Sequence, residues 1–377
     1  MYLHIPFCRK ACSYCDFHFS VNHEKMDAMI EAMCKEIELR KNYLENNGEK
    51  TVLQTIYFGG GTPSLLNSHH LDKLFNSITK YFTVAPNAEI TLEANPDDLT
   101  DKKLLELKQS PINRLSIGVQ SFFDDDLILM NRAHNASMAT NSVKAAANAG
   151  FNNLTIDLIY GIPGMSDDKW KRNLDIAFSL PVEHLSCYSL TVEKKTALDK
   201  WIREGKIAKI DDESAINHFK ILMSEAAANK FDHYEISNFG RKGFYSNHNS
   251  SYWKNKSYLG IGPSAHSYNG ISRQWNISGN TAYIMAINKN EIPAEIEILT
   301  IENKFNEYIM TGIRTKWGLS RKYILNEFGA KFEAVFIEQI NEFIDSSAIQ
   351  CIDEIYTLTD SGKLIADRIA SKLFVVL

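Results

Sequence analysis

The fold is decided by the opening stretch, Tyr2-Leu-His4-Ile-Pro-Phe-Cys8-Arg-Lys-Ala-Cys12-Ser-Tyr14-Cys15. It consists of a short apolar strand that runs into a loop with three cysteines spaced C-x3-C-x2-C. Thiolates are soft ligands suited to iron–sulfur clusters. The three cysteines are therefore predicted to hold a [4Fe–4S] cluster, whose fourth iron is free to chelate the amino and carboxylate groups of S-adenosylmethionine (SAM). A zinc site completed by His4 or His18 is the alternative, although zinc pairs usually show C-x2-C on both sides.

The chain after this loop alternates between short apolar strands and amphipathic helices. Apolar residues recur every three or four positions in the helices, as in Met26, Met29, Ile30 and Met33. Six successive β-α units predict an α/β fold with a parallel sheet curled into a partial (β/α)6 barrel of the TIM type. The predicted strands are Tyr2–Ile5, Thr55–Phe58, Glu89–Glu93, Arg114–Val119, Leu154–Ile159 and His184–Leu190, and the first helix is predicted over Glu24–Leu44.

The pattern changes after about residue 195, which suggests three parts: a barrel over 1–195, covering helices and loops over 196–292, and a small domain over 293–377. The stretch His233–Trp275 is rich in aromatic residues and is expected to be rich in loops. The last part shows a helix–helix–hairpin–helix order, which resembles a winged-helix α+β module. Glu291–Leu377 carries 14 acidic and 9 basic residues, so a structural role is favoured over DNA binding.

Composition excludes several functional classes. A net charge of -5 gives no basic excess for nucleic-acid binding, and no run of about 18 apolar residues is present. The N-terminal residues lack the apolar core of a signal peptide, so a cytoplasmic protein is expected. Three of the six cysteines crowd into eight residues, which favours a metal site over disulfides.

Polar groups stand at the ends of successive predicted strands, where barrel proteins carry their functional residues. The second strand ends at Gly60, Gly61 and Thr62, where missing β-carbons let the backbone approach a ligand closely. Side chains that can bind the carboxylate, amino or ribose groups of SAM follow on later strands. They are Glu93, Gln120, Arg132 and Asp157.

The cysteine triplet resembles that of the radical SAM superfamily, which it defines. The resemblance implies that Tyr14 packs beside the adenine of SAM, that Tyr2 contacts SAM, and that the glycine segment grips the methionyl amino group. The whole chain is similar to the HemN-like group, which includes coproporphyrinogen III dehydrogenases and the haem chaperones of the HemW family. The shared segments are His4–Cys8, Gly60–Pro63, Ser116–Phe122 and Asp157–Gly161.

Two departures argue against the dehydrogenase. That enzyme has a further cysteine two residues after the third ligand, where this chain has Phe17, and an N-terminal extension that this sequence is not expected to have. His248-Asn-Ser-Ser-Tyr252-Trp253 matches the His-Asn-x-x-Tyr-Trp motif that carries haem in the chaperones. Imidazole is a common axial ligand to haem iron, so His248 is predicted to bind haem for transfer to an acceptor protein.

Several alternatives stay open at this point. His266 is a second candidate haem ligand for which a structural role is favoured. Oxidative decarboxylation of coproporphyrinogen III is the competing activity. The three-cysteine cluster also has the means to cleave SAM reductively, given an electron donor, but no substrate can be inferred. The resemblance leaves a cluster-dependent homodimer open as well.

Overall fold

The computed structural model describes residues 1–44 and 50–375. Its first half confirms the predicted β-α alternation, and each of the first six strands lies parallel to the next because a helical connection returns the chain to the same end of the sheet. The first helix ends at Leu39, earlier than predicted, and residues 41–44 form turns. These elements are β1 (Tyr2–Ile5), α1 (Met26–Leu39), β2 (Val52–Gly60), α2 (Ser68–Tyr81), β3 (Thr83–Ala94), α3 (Asp101–Gln109), β4 (Arg114–Gln120), α4 (Asp124–Leu129), α5 (Ala136–Asn148), β5 (Leu154–Tyr160), α6 (Asp167–Ser179) and β6 (His184–Ser189).

In the part of the chain that the structure describes, the barrel sheet contains nine strands, because the stretch expected to be rich in loops supplies three more. One of them pairs in parallel with β1, and the other two form an antiparallel ribbon that pairs with β6. The stretch predicted to be loop-rich over His233–Trp275 therefore also contains short strands and a helix that the sequence pattern did not reveal. Strands of two to four residues are too short to display a period of two. The elements here are α7 (Ala197–Arg203), α8 (Asp212–Ala228), β7 (Asp232–Glu235), β8 (Asn238–Gly240), α9 (Asn247–Trp253) and β9 (Gly260–Ile261).

A three-stranded antiparallel sheet follows and is fastened to the first helix. Glu36 on α1 accepts hydrogen bonds from the Gly262 amide, the Asn276 amide group and the Tyr283 hydroxyl. This buried carboxylate therefore joins the barrel wall to the sheet and to the helix beside it. The elements are β10 (His266–Tyr268), β11 (Ser272–Asn276), α10 (Asn280–Asn288) and β12 (Ala294–Ile298).

The C-terminal part has its own hydrophobic core, built around Phe305, Phe336 and Ile340. Three short strands pair antiparallel in the order β13-β15-β14 beside the helices, which confirms the winged-helix-like α+β architecture. The predicted boundaries at residues 195 and 292 remain predictions. The elements are α11 (Ile301–Gly312), β13 (Leu319–Ser320), α12 (Arg321–Phe328), α13 (Ala330–Asp345), β14 (Ile349–Ile352), β15 (Ile355–Leu358), α14 (Asp360–Lys363) and α15 (Ala366–Lys372).

Candidate functional site

The cysteine loop between β1 and α1 is fastened to the end of β2. The amides of Gly61 and Thr62 donate to the carbonyls of Ile5 and Phe7 at 2.8 and 2.7 Å. The amides of Gly61 and Thr62 are thus committed to the loop. An amino group donates hydrogen bonds, so carbonyl oxygens of this segment are the groups that could hold the amino group of SAM.

Gly60 is required by the backbone at this junction. Its φ of +102° lies in the left-handed region, and a β-carbon there would stand 2.5 Å from Nδ1 of His4. The amide of Gly60 donates to Glu93 at 3.2 Å. The turn that ends β2 therefore brings the cysteine loop and the carboxylate of β3 together.

The thiols of Cys8 and Cys15 lie in surroundings that raise their pKa values. Burial raises the pKa of Cys8, and it raises the pKa of Cys15 to about 11, with further increases from the neighbouring thiols. Within residues 1–44 and 50–375 no three His, Cys, Asp or Glu side chains converge as ligands of a single ion. A cubane binds each thiolate through a different iron, so its ligands need not converge on one point.

The zinc alternative has little support from the two histidines proposed to complete it. His4 Nε2 contacts the His18 carbonyl at 3.0 Å, and its Nδ1 contacts the Tyr2 hydroxyl at 3.2 Å. The ring of His18 is in turn hydrogen-bonded to Asn280 at 2.6 Å. Both side chains are thus engaged in holding the loop.

Arg132 connects the cysteine loop to the barrel interior. Its guanidinium donates to Cys12 Sγ at 3.2 Å, to Asn95 Oδ1 at 2.7 Å and to the Gly118 carbonyl at 2.8 Å. Its Nε is buried and has no hydrogen-bond partner among the described residues. A buried donor without a partner is costly, and a ligand carboxylate at this point would satisfy it.

Two carboxyl groups face the interior beside this arginine. Glu93 accepts from the Tyr57 hydroxyl at 2.7 Å, and burial raises the pKa of its carboxyl to about 7. Asp157 accepts from Ser116 at 3.2 Å, and burial raises its pKa to about 6. The two carboxyl groups also interact, since Asp157 adds to the pKa increase of Glu93.

The remaining candidates for SAM binding lie around the same space. Gln120 is buried at the end of β4 with a φ of 67°, and a β-carbon on Gly118 would come within 2.8 Å of its amide nitrogen. Burial raises the pKa of Tyr14, which also interacts electrostatically with Arg132. Tyr2 stacks on Tyr57 at 6.1 Å. The structure thus brings the predicted SAM residues to one end of the barrel.

His248 lies beneath this site rather than at the surface. It is 3% exposed, and its ring stacks on Tyr57 with 4.7 Å between centroids. Nδ1 contacts the Thr55 hydroxyl at 2.8 Å and Nε2 contacts the Tyr252 hydroxyl at 2.9 Å. Burial lowers the pKa of this imidazole well below its usual range, so the ring is neutral. His266, in contrast, is exposed and stacks on Trp275.

The sequence analysis missed Tyr57 and the role of Asn95. Tyr57 lies between Thr55 and Gly59 on β2, so a period of two predicts that it faces the interior with them. Asn95 directly follows β3 and accepts from Arg132. Both could have been found by following the alternation of inward-facing and outward-facing residues along β2 and β3, and not only the cysteines and charged residues.

This site and fold define a class of protein. A family model described as the Radical SAM superfamily matches residues 2–177. The chain is 34% identical over 371 residues to the protein named Heme chaperone HemW of Bacillus subtilis, with 98% of this chain and 97% of that protein covered. The same name belongs to a Lactococcus lactis protein that is 34% identical over 372 residues, with 98% and 96% covered.

The chain is therefore a radical SAM protein, a class whose members use a [4Fe–4S] cluster and SAM. Within that class it belongs to the HemW family.

A solved structure extends the similarity of fold to the full length. Coproporphyrinogen III oxidase (HemN) from Escherichia coli matches with a TM-score of 0.85 and 20% identity, covering 100% of this chain and 90% of that one. At this identity the match shows the fold alone. Among the described residues, no helix is long and apolar enough to cross a membrane.

Proposed function

We propose that this protein is a haem chaperone, which binds haem through His248 and passes it to an acceptor protein. The observation that carries the proposal is the motif His248-Asn-Ser-Ser-Tyr252-Trp253, which forms helix α9 against the barrel, in a chain similar over its full length to proteins named haem chaperones. A neutral imidazole is the form that can ligate haem iron.

The motif helix also offers polar groups to a ligand. The hydroxyl of Ser250 and the indole N–H of Trp253 are buried, and neither has a hydrogen-bond partner among residues 1–44 and 50–375. Haem carries carboxylates that accept hydrogen bonds. The Ser250 hydroxyl and the Trp253 indole N–H could therefore donate hydrogen bonds to the carboxylates of a bound haem.

The cluster and SAM belong to the same proposal. Cys8, Cys12 and Cys15 would hold the [4Fe–4S] cluster. The cluster would supply an electron for the reductive cleavage of SAM, or it would serve as a site that senses SAM. The unpartnered Nε of Arg132 suits the SAM carboxylate, and Glu93 suits its amino group or ribose. The other side chains and backbone groups proposed to contact SAM are Tyr2, Tyr14, Gly60, Gly61, Thr62, Gln120 and Asp157.

Oxidative decarboxylation of coproporphyrinogen III is the second candidate function. The observation that favours it is the similarity of fold to HemN over the whole chain. Phe17 stands where the dehydrogenase has a further cysteine, which counts against it. The acceptor protein and any electron donor would be identified only after the two candidates are separated.

The test uses anaerobically reconstituted protein that carries its cluster. We expect iron and sulfide in the ratio of a [4Fe–4S] cluster, stoichiometric haem binding followed by Soret absorbance, and no turnover of coproporphyrinogen III with SAM and reductant. His248→Ala should weaken haem binding by about tenfold or more, equivalent to about 1.4 kcal/mol. The control is His69→Ala, because His69 is exposed and lies outside the motif.

Three results would contradict the proposal or a part of it. Turnover of coproporphyrinogen III without haem binding would reassign the protein to the dehydrogenases. Haem affinity that is equal in the His248 and His69 variants would remove His248 as the ligand, even if haem binds. Zinc in place of iron after purification under anaerobic conditions would revive the zinc alternative at Cys8, Cys12 and Cys15.

A further inference from the structure

A continuous set of side-chain contacts joins the haem motif to the carboxylate of Glu93 in the proposed SAM site. The imidazole of His248 stacks on Tyr57 at 4.7 Å with an interplanar angle of 21°. The hydroxyl of Tyr57 donates to Glu93 at 2.7 Å, and the other carboxylate oxygen of Glu93 accepts from an amide of the glycine turn. The ring of His248 therefore supports the tyrosine that orients the carboxylate of the SAM site.

A second connection runs through the backbone of the motif helix. The amides of Asn247 and His248, at the start of α9, each donate to the carboxylate of Glu89 at 2.9 Å. Glu89 lies on β3, the strand that carries Glu93. The His248 ring is also bonded to Thr55, two residues before Tyr57 on β2. Helix α9 is thus docked on β2 and β3, two of the strands that carry the proposed SAM site.

Ligation of haem conflicts with this docked position. An iron atom needs a ring nitrogen that is free of hydrogen bonds, whereas both nitrogens of His248 are engaged, with Thr55 and Tyr252. The side chain is also almost fully buried, so a porphyrin cannot reach its ring nitrogens in this position. Helix α9 must leave its place before His248 can bind iron, and Tyr57 then loses its stacking partner.

We infer that haem binding at His248 and SAM binding at Glu93 oppose each other through Tyr57. SAM stabilises the docked helix because the docked helix holds Tyr57 and Glu93 in place. Haem stabilises the undocked helix because only that state presents the imidazole. This inference rests on the proposed function, and it gives the SAM site a regulatory role: SAM binding favours release of haem to the acceptor.

Thermodynamic linkage makes the coupling reciprocal, so the effect of SAM on haem affinity and the effect of haem on SAM affinity can both be measured. Coupling between two sites is typically about 5- to 150-fold in affinity. We expect saturating SAM, without reductant, to weaken haem binding by a factor in this range on cluster-loaded protein, measured by Soret titration. Saturating haem should weaken SAM binding by the same factor, measured by equilibrium dialysis.

The variant Tyr57→Phe tests whether the coupling between haem and SAM passes through the hydrogen bond from Tyr57 to Glu93. This variant keeps the aromatic ring but removes the hydroxyl that donates to Glu93, so the coupling factor should fall toward one. The matched control is Tyr323→Phe on the C-terminal domain, where the tyrosine is 41% exposed, and this variant should keep the parent factor. Hydrogen exchange of residues 247–253 gives an independent readout in the parent protein: haem should accelerate it and SAM should slow it.

The outcomes separate the two proposals. If haem or SAM fails to bind at all, the proposed function fails and the coupling fails with it. If both bind but neither changes the affinity of the other, or each strengthens the other, the coupling is overturned while the proposed function stands. If the parent shows opposition and Tyr57→Phe retains it in full, the route through Tyr57 is wrong.

Discussion

The carboxyl group of Glu93 shows how burial changes the pKa of a single residue at this site. It is enclosed by the barrel, and burial is the largest cause that raises its pKa from 4.5 to about 7, with Asp157 adding to the increase. The hydrogen bonds from Tyr57 and Gly60 act in the opposite direction because they stabilise the charged form. The charge on Glu93 is therefore disfavoured in the protein without ligand, and a cationic ligand would relieve that cost.

This burial predicts a stability that depends on pH. The folded state binds the Glu93 proton more tightly than the unfolded chain, so the free energy of unfolding should fall as pH rises from about 4.5 to about 7. The fall is at most about 3 kcal/mol, since one pKa unit corresponds to about 1.4 kcal/mol. Glu93→Gln cannot ionise and should lose this part of the decline, which urea unfolding of cluster-free protein at pH 5 and pH 8 would show.

The comparison for this variant is Glu38→Gln, because Glu38 is an exposed glutamate on α1. It should follow the pH profile of the parent. A Glu93→Gln profile parallel to the parent would mean that the carboxyl group of Glu93 ionises normally in the folded protein.

At the scale of elements, helix α1 is tied to the strands and helix that cover the open side of the barrel. Glu36 accepts three hydrogen bonds from residues more than 200 positions away in the sequence and lies 3.7 Å from the guanidinium of Arg40. Arg40 in turn donates to the side chains of Ser267 and Gln274. These buried polar contacts fix the position of β9 against β1.

Removing the carboxylate of Glu36 should destabilise the folded protein strongly. Glu36→Ala leaves a buried arginine and several donors without an acceptor, so we expect a loss of about 3–5 kcal/mol in the free energy of unfolding. Glu31→Ala on the same helix removes only an exposed pair with Lys73 and should cost less than about 0.5 kcal/mol. Urea unfolding measures both, and equal losses would show that the Glu36 contacts contribute no more than a surface pair.

The described residues contain two hydrophobic cores, which meet through backbone hydrogen bonds, ion pairs such as Arg273–Glu307 and the shared side chain of Ile236. Ile236 and Lys316 each donate an amide hydrogen bond across the junction, at 3.2 and 3.0 Å, and Glu235 forms an isolated bridge with Thr315. Each core buries its own aromatic and aliphatic side chains. Because most apolar side chains of each core pack within that core, we expect one core to open without the other when it is weakened.

A cavity in the smaller core should therefore show its effect locally. Phe336 is fully buried, so Phe336→Ala should cost about 3–5 kcal/mol. Hydrogen exchange should show loss of protection over residues 305–375 while β1–β6 stay protected. Leu325→Ala, at a position 45% exposed on α12, serves as the control with little expected change, and simultaneous loss of protection in both parts would show that the cores are cooperative.

The sequence by itself determined the β-α alternation, the cysteine triplet and the polar group at each strand end, because these signals are local or follow the period of a strand. It could not find β7–β9, whose two to four residues take their conformation from pairing with β6 and β1. It placed His248 in a haem motif, but the burial of that ring against Tyr57 depends on residues 191 positions apart. Only the tertiary structure decided that contact, because packing inside a curled sheet is set by which strands become neighbours and not by local sequence.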